Sequence, residues 1–167
     1  MNPKYLKFFL LTALTAAAVW VAFTLYNRFR FPPLPLSQTT LINEKGETVA
    51  ADGFQTPYVL VSYFQSWCSD CLREAPSIAA LKQTSGGRVS VLMISDEPWE
   101  KINPFRARAG ADLPFFQSAT PLKQLGIYSY PTTYLLGPDR KVLLEKQEGY
   151  DWNSPEVQAL TGNEKSP

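Results

Sequence analysis

Residues 58–71 read Tyr-Val-Leu-Val-Ser-Tyr-Phe-Gln-Ser-Trp-Cys-Ser-Asp-Cys, or YVLVSYFQSWCSDC. Tyr58 to Phe64 is β-branched, aliphatic and aromatic, the composition of a buried central strand. It ends at Gln65–Ser66–Trp67, and a helix is expected from about Ser69 to Lys82, stopped by Gly86–Gly87. Cys68 and Cys71 therefore fall where a strand hands over to a helix. There the unpaired N–H groups and the helix dipole stabilise an anion, which lowers the pKa of the first cysteine. Two intervening residues let the two sulfurs meet. The Cys68 thiolate can attack a disulfide, and Cys71, one turn along, can resolve the mixed disulfide. The alternatives are a structural bridge or two inert core thiols. A bridge across so short a loop constrains little chain entropy, and inert thiols have no need of this junction.

Downstream of the motif, Val89 to Ser95 reads as a second apolar strand, parallel to the first. Residues 97–109 suggest a helix interrupted by Pro104. Pro114–Phe115–Phe116 suggests a short strand, and 120–126 a helical turn ending at Gly126. Thr132–Leu136 and Val142–Lys146 are strands joined by Gly137–Pro138–Asp139–Arg140, a link short enough to impose an antiparallel hairpin. A last helix has Ser154 as N-cap, Pro155 at its first position and Gly162 just past its end. Upstream, residues 39–50 form a hairpin turning at Glu44–Lys45–Gly46, and 31–38 (FPPLPLSQ) is a stiff proline-rich linker. Parallel strands with a crossover, followed by an antiparallel hairpin, describe a thioredoxin-like three-layer α/β sandwich with a mixed central sheet.

Composition removes several function classes. The chain of 167 residues has no histidine and two cysteines. That excludes Ser–His and Cys–His nucleophilic catalysis, imidazole metal sites and an intrachain zinc or iron–sulfur centre. No metal or organic cofactor is called for. Residues 31–167 carry 12 basic against 15 acidic side chains. A mildly acidic domain is poorly suited to nucleic acid, which needs a clustered basic surface.

Phe8 to Tyr26 is an uncharged 19-residue run, flanked by Lys4 and Lys7 before it and by Arg28 and Arg30 after it. It is long enough to cross a bilayer core as a helix. A cleaved signal is the alternative, since Ala16–Ala17–Ala18 offers a small-residue site. Apolar residues continue past it from Val19 to Leu25, which favours an uncleaved anchor. The flanking charges are balanced, so the short N-terminal flank sets the expectation of N-terminus inside and domain outside. The expected organisation is an anchor over 1–30, a linker over 31–38, a thioredoxin-like domain over 39–162 and a tail over 163–167.

Four features together resemble thioredoxins, and more closely the membrane-anchored TlpA/ResA/DsbE-like branch. They are Trp67–Cys68–x–x–Cys71 after an apolar strand, Arg73–Glu74–Ala75–Pro76 just behind it, an inserted strand and helix before the later hairpin, and Gly126–Ile127–Tyr128–Ser129–Tyr130–Pro131–Thr132–Thr133. The resemblance covers roughly 35–162. It implies that Pro131 is a cis-proline beside the cysteines, leaving the Tyr130 backbone free to pair with an extended substrate. It implies that Glu74 exchanges a proton with Cys71, against the plainer reading of a solvated helix residue. Trp67 borders the sulfurs as a substrate contact or a bare surface aromatic. Pro76 should kink its helix.

Two departures bear on the chemistry. Asp70 between the cysteines opposes thiolate formation, and Tyr130 is bulky for its position. The resemblance implies an extracytoplasmic reductant in the inner membrane, acting on disulfide-bearing proteins, with a role in cytochrome c maturation or envelope redox homeostasis. A membrane donor of the thiol-transporter type would re-reduce it. An oxidant or isomerase on the same scaffold is the alternative, and a non-catalytic binding module or chaperone is the alternative of another class. A peroxidase fits less well, because both cysteines follow the CxxC pattern.

Overall fold

The computed structural model describes residues 3–30, 34, 36, 39–50, 53–110 and 112–162. Most of the proline-rich stretch and all of the tail 163–167 lie outside the described residues. The chain divides into two compact units, Met1–Pro33 and Leu34–Pro167. The first is a single helix, α1 (Pro3–Arg30), on which Phe9, Leu14, Val19, Trp20 and Phe23 stand exposed. Among the described residues, no helix is long and apolar enough to cross a membrane.

The second unit is built on one sheet. Its strands are β1 (Leu41–Ile42), β2 (Thr48–Val49), β3 (Tyr58–Tyr63), β4 (Val89–Ser95), β5 (Phe115–Ser118), β6 (Thr132–Leu136) and β7 (Val142–Lys146), in the spatial order β2-β1-β5-β4-β3-β6-β7. β3, β4 and β5 run parallel; β6 and β7 on one side, and β1 and β2 on the other, run antiparallel to their neighbours. β3 is therefore central, which explains why its sequence is apolar almost throughout. The Asn43 carboxamide closes the β1–β2 turn by accepting from the backbone N–H groups of Lys45 and Glu47.

The two sheet faces are covered unequally. Alternate strand residues Leu60, Val91, Met93, Phe115 and Leu135 pack under α2 (Ser69–Thr84), α3 (Trp99–Ala109) and α4 (Pro155–Leu160). The opposite set, Val59, Val61, Leu92, Ile94, Phe116 and Leu136, packs under the short 3-10 helix Leu122–Leu125 and against Leu34, Leu36, Leu41, Val49 and Phe54. The expected three layers are present, but the inserted α3 lies on the same side as α2, and the far layer contains no α-helix among the described residues.

Two local expectations are corrected. Pro104 does not interrupt its helix: α3 runs unbroken from Trp99 to Ala109. A proline there gives up one backbone bond, and the burial of Ile102, Phe105 and Ala109 on one face outweighs it. Ser154 occupies the N-cap position of α4 without capping it by its side chain; its Oγ instead lies 3.4 Å from the Tyr150 hydroxyl. Pro155 and the left-handed Gly162 (φ 65°) bound α4 as the sequence indicates.

Phe64, the residue that leaves β3, is fully buried and stacks on Phe105 with centroids 4.5 Å apart, with Phe115 edge-on at 5.5 Å. Phe64→Ala should cost about 3–5 kcal/mol of stability by urea unfolding. A loss below about 1 kcal/mol would mean that the cluster closes over the gap and does not depend on this ring.

Candidate active site

Cys68 is the N-cap residue of α2, with extended backbone (φ −76°, ψ 110°). The strand delivers it there: Phe64 N–H donates to Ile94 O at 2.9 Å, and Cys68 N–H folds back onto Gln65 O at 3.0 Å. Cys68 and Cys71 are joined in a disulfide. Cys68 Sγ also accepts from the Cys71 N–H at 3.1 Å. That bond uses one of the donors a helix start leaves unpaired, and it would favour a thiolate at Cys68 when the disulfide is open. Cys71 is 1 % exposed and Cys68 5 %. The outer sulfur is the more accessible, while the inner one is sealed.

Asp70 lies between them at the second helical position and is paired with the Arg73 guanidinium. Its charge is thus partly neutralised by a neighbour on the same helix, which weakens its opposition to a Cys68 thiolate. Gly149 sits against it: a Cβ there would lie 3.8 Å from the Asp70 Cβ and carbonyl oxygen. The segment that follows wraps over α2 through Ser77, whose Oγ donates to Tyr150 O and accepts from Trp152 N–H.

Glu74 lies three residues beyond Cys71 on α2 and is 2 % exposed, which overturns the plainer reading of a solvated residue. Its Oε1 lies 2.7 Å from Thr133 Oγ1, which in turn lies 2.9 Å from Ser62 Oγ. Oε2 has no hydrogen-bond partner, and neither has the buried Trp152 Nε1. Burial pushes the Glu74 carboxyl up to about 7. The Thr133 hydroxyl, the nearby Trp152 indole and the Tyr150 backbone pull in the opposite direction, and Asp70 adds a small upward push. A carboxyl so placed can both accept and release a proton at neutral pH.

The Tyr130–Pro131 bond is cis. Thr132 pairs with Tyr63 across β6 and β3, so the register brings Pro131 level with the end of the strand that carries the cysteines. Trp67 is 71 % exposed and meets Tyr130 edge-on with centroids 5.9 Å apart. Burial raises the Tyr130 hydroxyl pKa, while the Gln65 side chain beside it pulls the other way. Trp67, Tyr130, Pro131 and the two cysteines thus come from two loops meeting at one end of the sheet, with Glu74 beneath. Among the described residues, no group of three or more cysteines and carboxylates is placed to hold a metal ion.

Sequence reasoning did not reach Ser62, Thr133, Gln65, Asp96 or Glu97. Asp96 and Glu97 follow β4 directly. Their position at the carboxyl end of a parallel strand was the available signal, since sites in α/β sheets gather there.

The pKa of Glu74 gives a sign. In an unfolded chain the carboxyl titrates near 4.5, and in the fold near 7. The fold therefore prefers the protonated form. That contribution is complete below about pH 4.5 and is lost as pH rises through 7. Glu74→Gln should match wild type at pH 4 and exceed it by about 3 kcal/mol at pH 8. Urea titrations at the two pH values measure this, and a difference independent of pH would refute the buried-acid assignment.

Residues 33–144 match the AhpC/TSA family. Among solved structures, the chain is similar to a thiol:disulfide interchange protein from Bacteroides sp., with 21 % identity, TM-score 0.62, and 74 % of this chain and 86 % of that one covered. It is similar to a thiol-disulfide oxidoreductase from Bacteroides fragilis, with 26 % identity, TM-score 0.57, and 74 % and 91 % covered. It is also similar to StoA from Bacillus subtilis, with 14 % identity, TM-score 0.56, and 74 % and 93 % covered. The first and third likenesses bear on the fold alone. No curated protein matches the chain.

Proposed function

The chain belongs to the AhpC/TSA family, thioredoxin-like proteins whose solved neighbours here include thiol–disulfide oxidoreductases, and on that premise we propose that it reduces disulfides in extracytoplasmic proteins. The observation that carries the reading is the Cys68–Cys71 pair at the start of α2, with its outer sulfur on a helix N–H and an acid buried one turn behind.

The cycle begins with the reduced dithiol. Cys68 thiolate attacks one sulfur of the substrate disulfide; that S–S bond breaks and one substrate thiolate leaves. Cys71 gives its proton to the Glu74 carboxylate and attacks Cys68 Sγ. The mixed disulfide breaks, the second substrate thiolate leaves and takes up a proton, and the Cys68–Cys71 disulfide remains. Two electrons have passed from the protein to the substrate. A membrane dithiol partner of the thiol-transporter type would return them. Trp67 and the Tyr130 backbone before Pro131 line the place where an extended substrate segment lies.

The reducing direction is supported by the buried acid. Negative charge under the thiols offsets part of the stabilisation that the helix N–H gives a Cys68 thiolate, and the less the reduced form is stabilised, the more reducing the couple. The apolar run in α1 supports a single-pass anchor in the cytoplasmic membrane, with the domain on the far side. Such tethering raises the encounter rate with a membrane partner and with newly exported substrates.

The deciding measurement is the reduction potential of the full chain in detergent, equilibrated in thiol buffers. A value near or below about −270 mV supports the reductant. A value of about −120 to −180 mV turns the reading to an oxidant or isomerase, and a pair that never cycles leaves a binding module. Cys68→Ser should abolish turnover. Cys71→Ser should trap covalent mixed disulfides, visible as reducible adducts on gels, and Glu74→Gln should slow release from that state by about 100-fold. Alkaline extraction of membranes tests the anchor: a chain released to the supernatant would refute it.

A further inference from the structure

The loop that presents Cys68 has little structure of its own. Between the last residue of β3 and the start of α2, Gln65, Ser66 and Trp67 form no ladder, and one backbone bond, from Cys68 N–H to Gln65 O, closes the turn. Besides the Trp67 ring and the Gln65 side chain, which meet Tyr130, the ties described for it come from the inserted β4–α3 segment. Glu97 sends both carboxylate oxygens to a single residue: Ser66 N–H donates to Oε2 at 2.5 Å, and Ser66 Oγ donates to Oε1 at 2.9 Å. From the other side of the same residue, Arg108 Nη2 donates to Ser66 O at 2.6 Å. Asp96 ties the preceding residue, with Oδ1 accepting from Gln65 Nε2 at 2.6 Å and Oδ2 from Leu122 N–H at 2.8 Å.

Glu97 is 8 % exposed. Among the described residues, the cation paired with it is the largely exposed Lys101, 3.6 Å away. A buried carboxylate is costly unless its oxygens are satisfied, and here two of the three contacts that satisfy it belong to Ser66. Charge-assisted bonds of this kind are about twice as strong as neutral ones and hold geometry closely. The orientation of the Ser66 peptide, and with it the direction in which Trp67 and Cys68 leave the strand, is therefore set by a side chain from another element 31 residues away in sequence.

Building on the oxidoreductase reading, we propose that Glu97 is a positioning residue for Cys68: by clamping the N–H and the hydroxyl of Ser66 it fixes the outer sulfur over the α2 N-terminus and thereby sets its reactivity. The inserted strand–helix is then more than added bulk, because Glu97 and Arg108 flank Ser66 from its two ends. Glu97 touches neither sulfur nor substrate in this scheme and acts only through the loop.

The test compares Glu97→Ala, Glu97→Gln and Ser66→Ala with wild type, all as full chains. Three quantities are read: the redox equilibrium constant against glutathione, the pH profile of Cys68 alkylation by iodoacetamide in the reduced protein, and the urea midpoint. Glu97→Ala should change the equilibrium constant at least tenfold, about 30 mV for this two-electron couple, and should slow reduction of a model disulfide about tenfold per folded molecule. Glu97→Gln, which retains an acceptor for the Ser66 N–H, should recover most of both. Ser66→Ala, which loses only the hydroxyl partner, should fall between wild type and Glu97→Ala. Altered urea midpoints with redox constants and alkylation profiles within twofold of wild type would make Glu97 a purely structural residue and overturn the proposal. Should Glu97→Ala fail to fold, unchanged constants in both Glu97→Gln and Ser66→Ala overturn it equally. A wild type that cycles while the variants behave identically sinks the clamp alone. A wild type that does not cycle sinks the oxidoreductase reading and the clamp with it.

Discussion

A helix cannot begin inside a protein without something to occupy its first N–H groups. In this domain α2 begins at the carboxyl edge of the sheet, and the group at its N-cap is a sulfur. Most of what surrounds the site follows from that placement. β3 must be central and apolar on both faces, so that its end is held rigidly where the helix starts. β4 must run alongside it in parallel, so that a second strand ends at the same edge and its next residues, Asp96 and Glu97, can reach the connecting loop. β6 must run antiparallel on the other side, so that its first residues, and Pro131 before them, arrive there too. Three strand ends converge because the sheet is mixed, and the topology thereby assembles a site from segments far apart in sequence.

The second constraint is the acid beneath the site. Glu74 is 2 % exposed, with the Thr133 hydroxyl on one oxygen and the Trp152 indole and Tyr150 backbone nearby. A hydroxyl holds a carboxylate far less firmly than a guanidinium would. The environment therefore leaves the protonated and ionised forms close in free energy near neutral pH, and that balance is what makes the group useful for proton exchange. It also costs stability whenever the group ionises. A lysine or arginine in place of Thr133 would remove the cost and the exchange together, by fixing the charge.

What could be read from the chain and what could not divides along physical lines. The strands, both hairpins and α2 were legible because their signals are local: apolar runs, glycine and proline punctuation, and two cysteines at a fixed spacing. α3 was legible as a helix but not as an unbroken one. Breaking at Pro104 is a local rule, and the burial of Phe105 against Phe64 and Phe115, which overrides it, is a tertiary fact. The burial of Glu74 had the same character. Local signals left a solvated residue open as the alternative to the proton-exchanging carboxylate that the resemblance implied, and the segment 149–153, which closes over that face, decides between them. Ser62 and Thr133 lie in segments read only as strands, and their partners across the sheet and on α2 give them their meaning. Glu97 read as the first residue of the helix 97–109 and Asp96 as the residue before it, because a sequence does not say which loop they will meet.

The unequal covering of the sheet bears on how these parts behave together. The face carrying the cysteines is overlaid by α2, α3 and α4, and its core is continuous from Cys68 and Cys71 through Ile78 to Phe105 and Val157. Among the described residues, the other face is covered by a four-residue 3-10 helix and by Leu34, Leu36, Val49 and Phe54. Side chains in a close-packed core transmit displacement, because they lack room to absorb it. The loop at Ser66 is therefore held against the thick, continuous side of the domain, by Glu97 just ahead of α3 and by Arg108 on α3, a helix packed into that core through Phe105. Placing the insertion on the same side as α2, and not on the thin side, gives the clamp a rigid base. That shared base links a helix with no chemistry of its own to the position of the reactive sulfur.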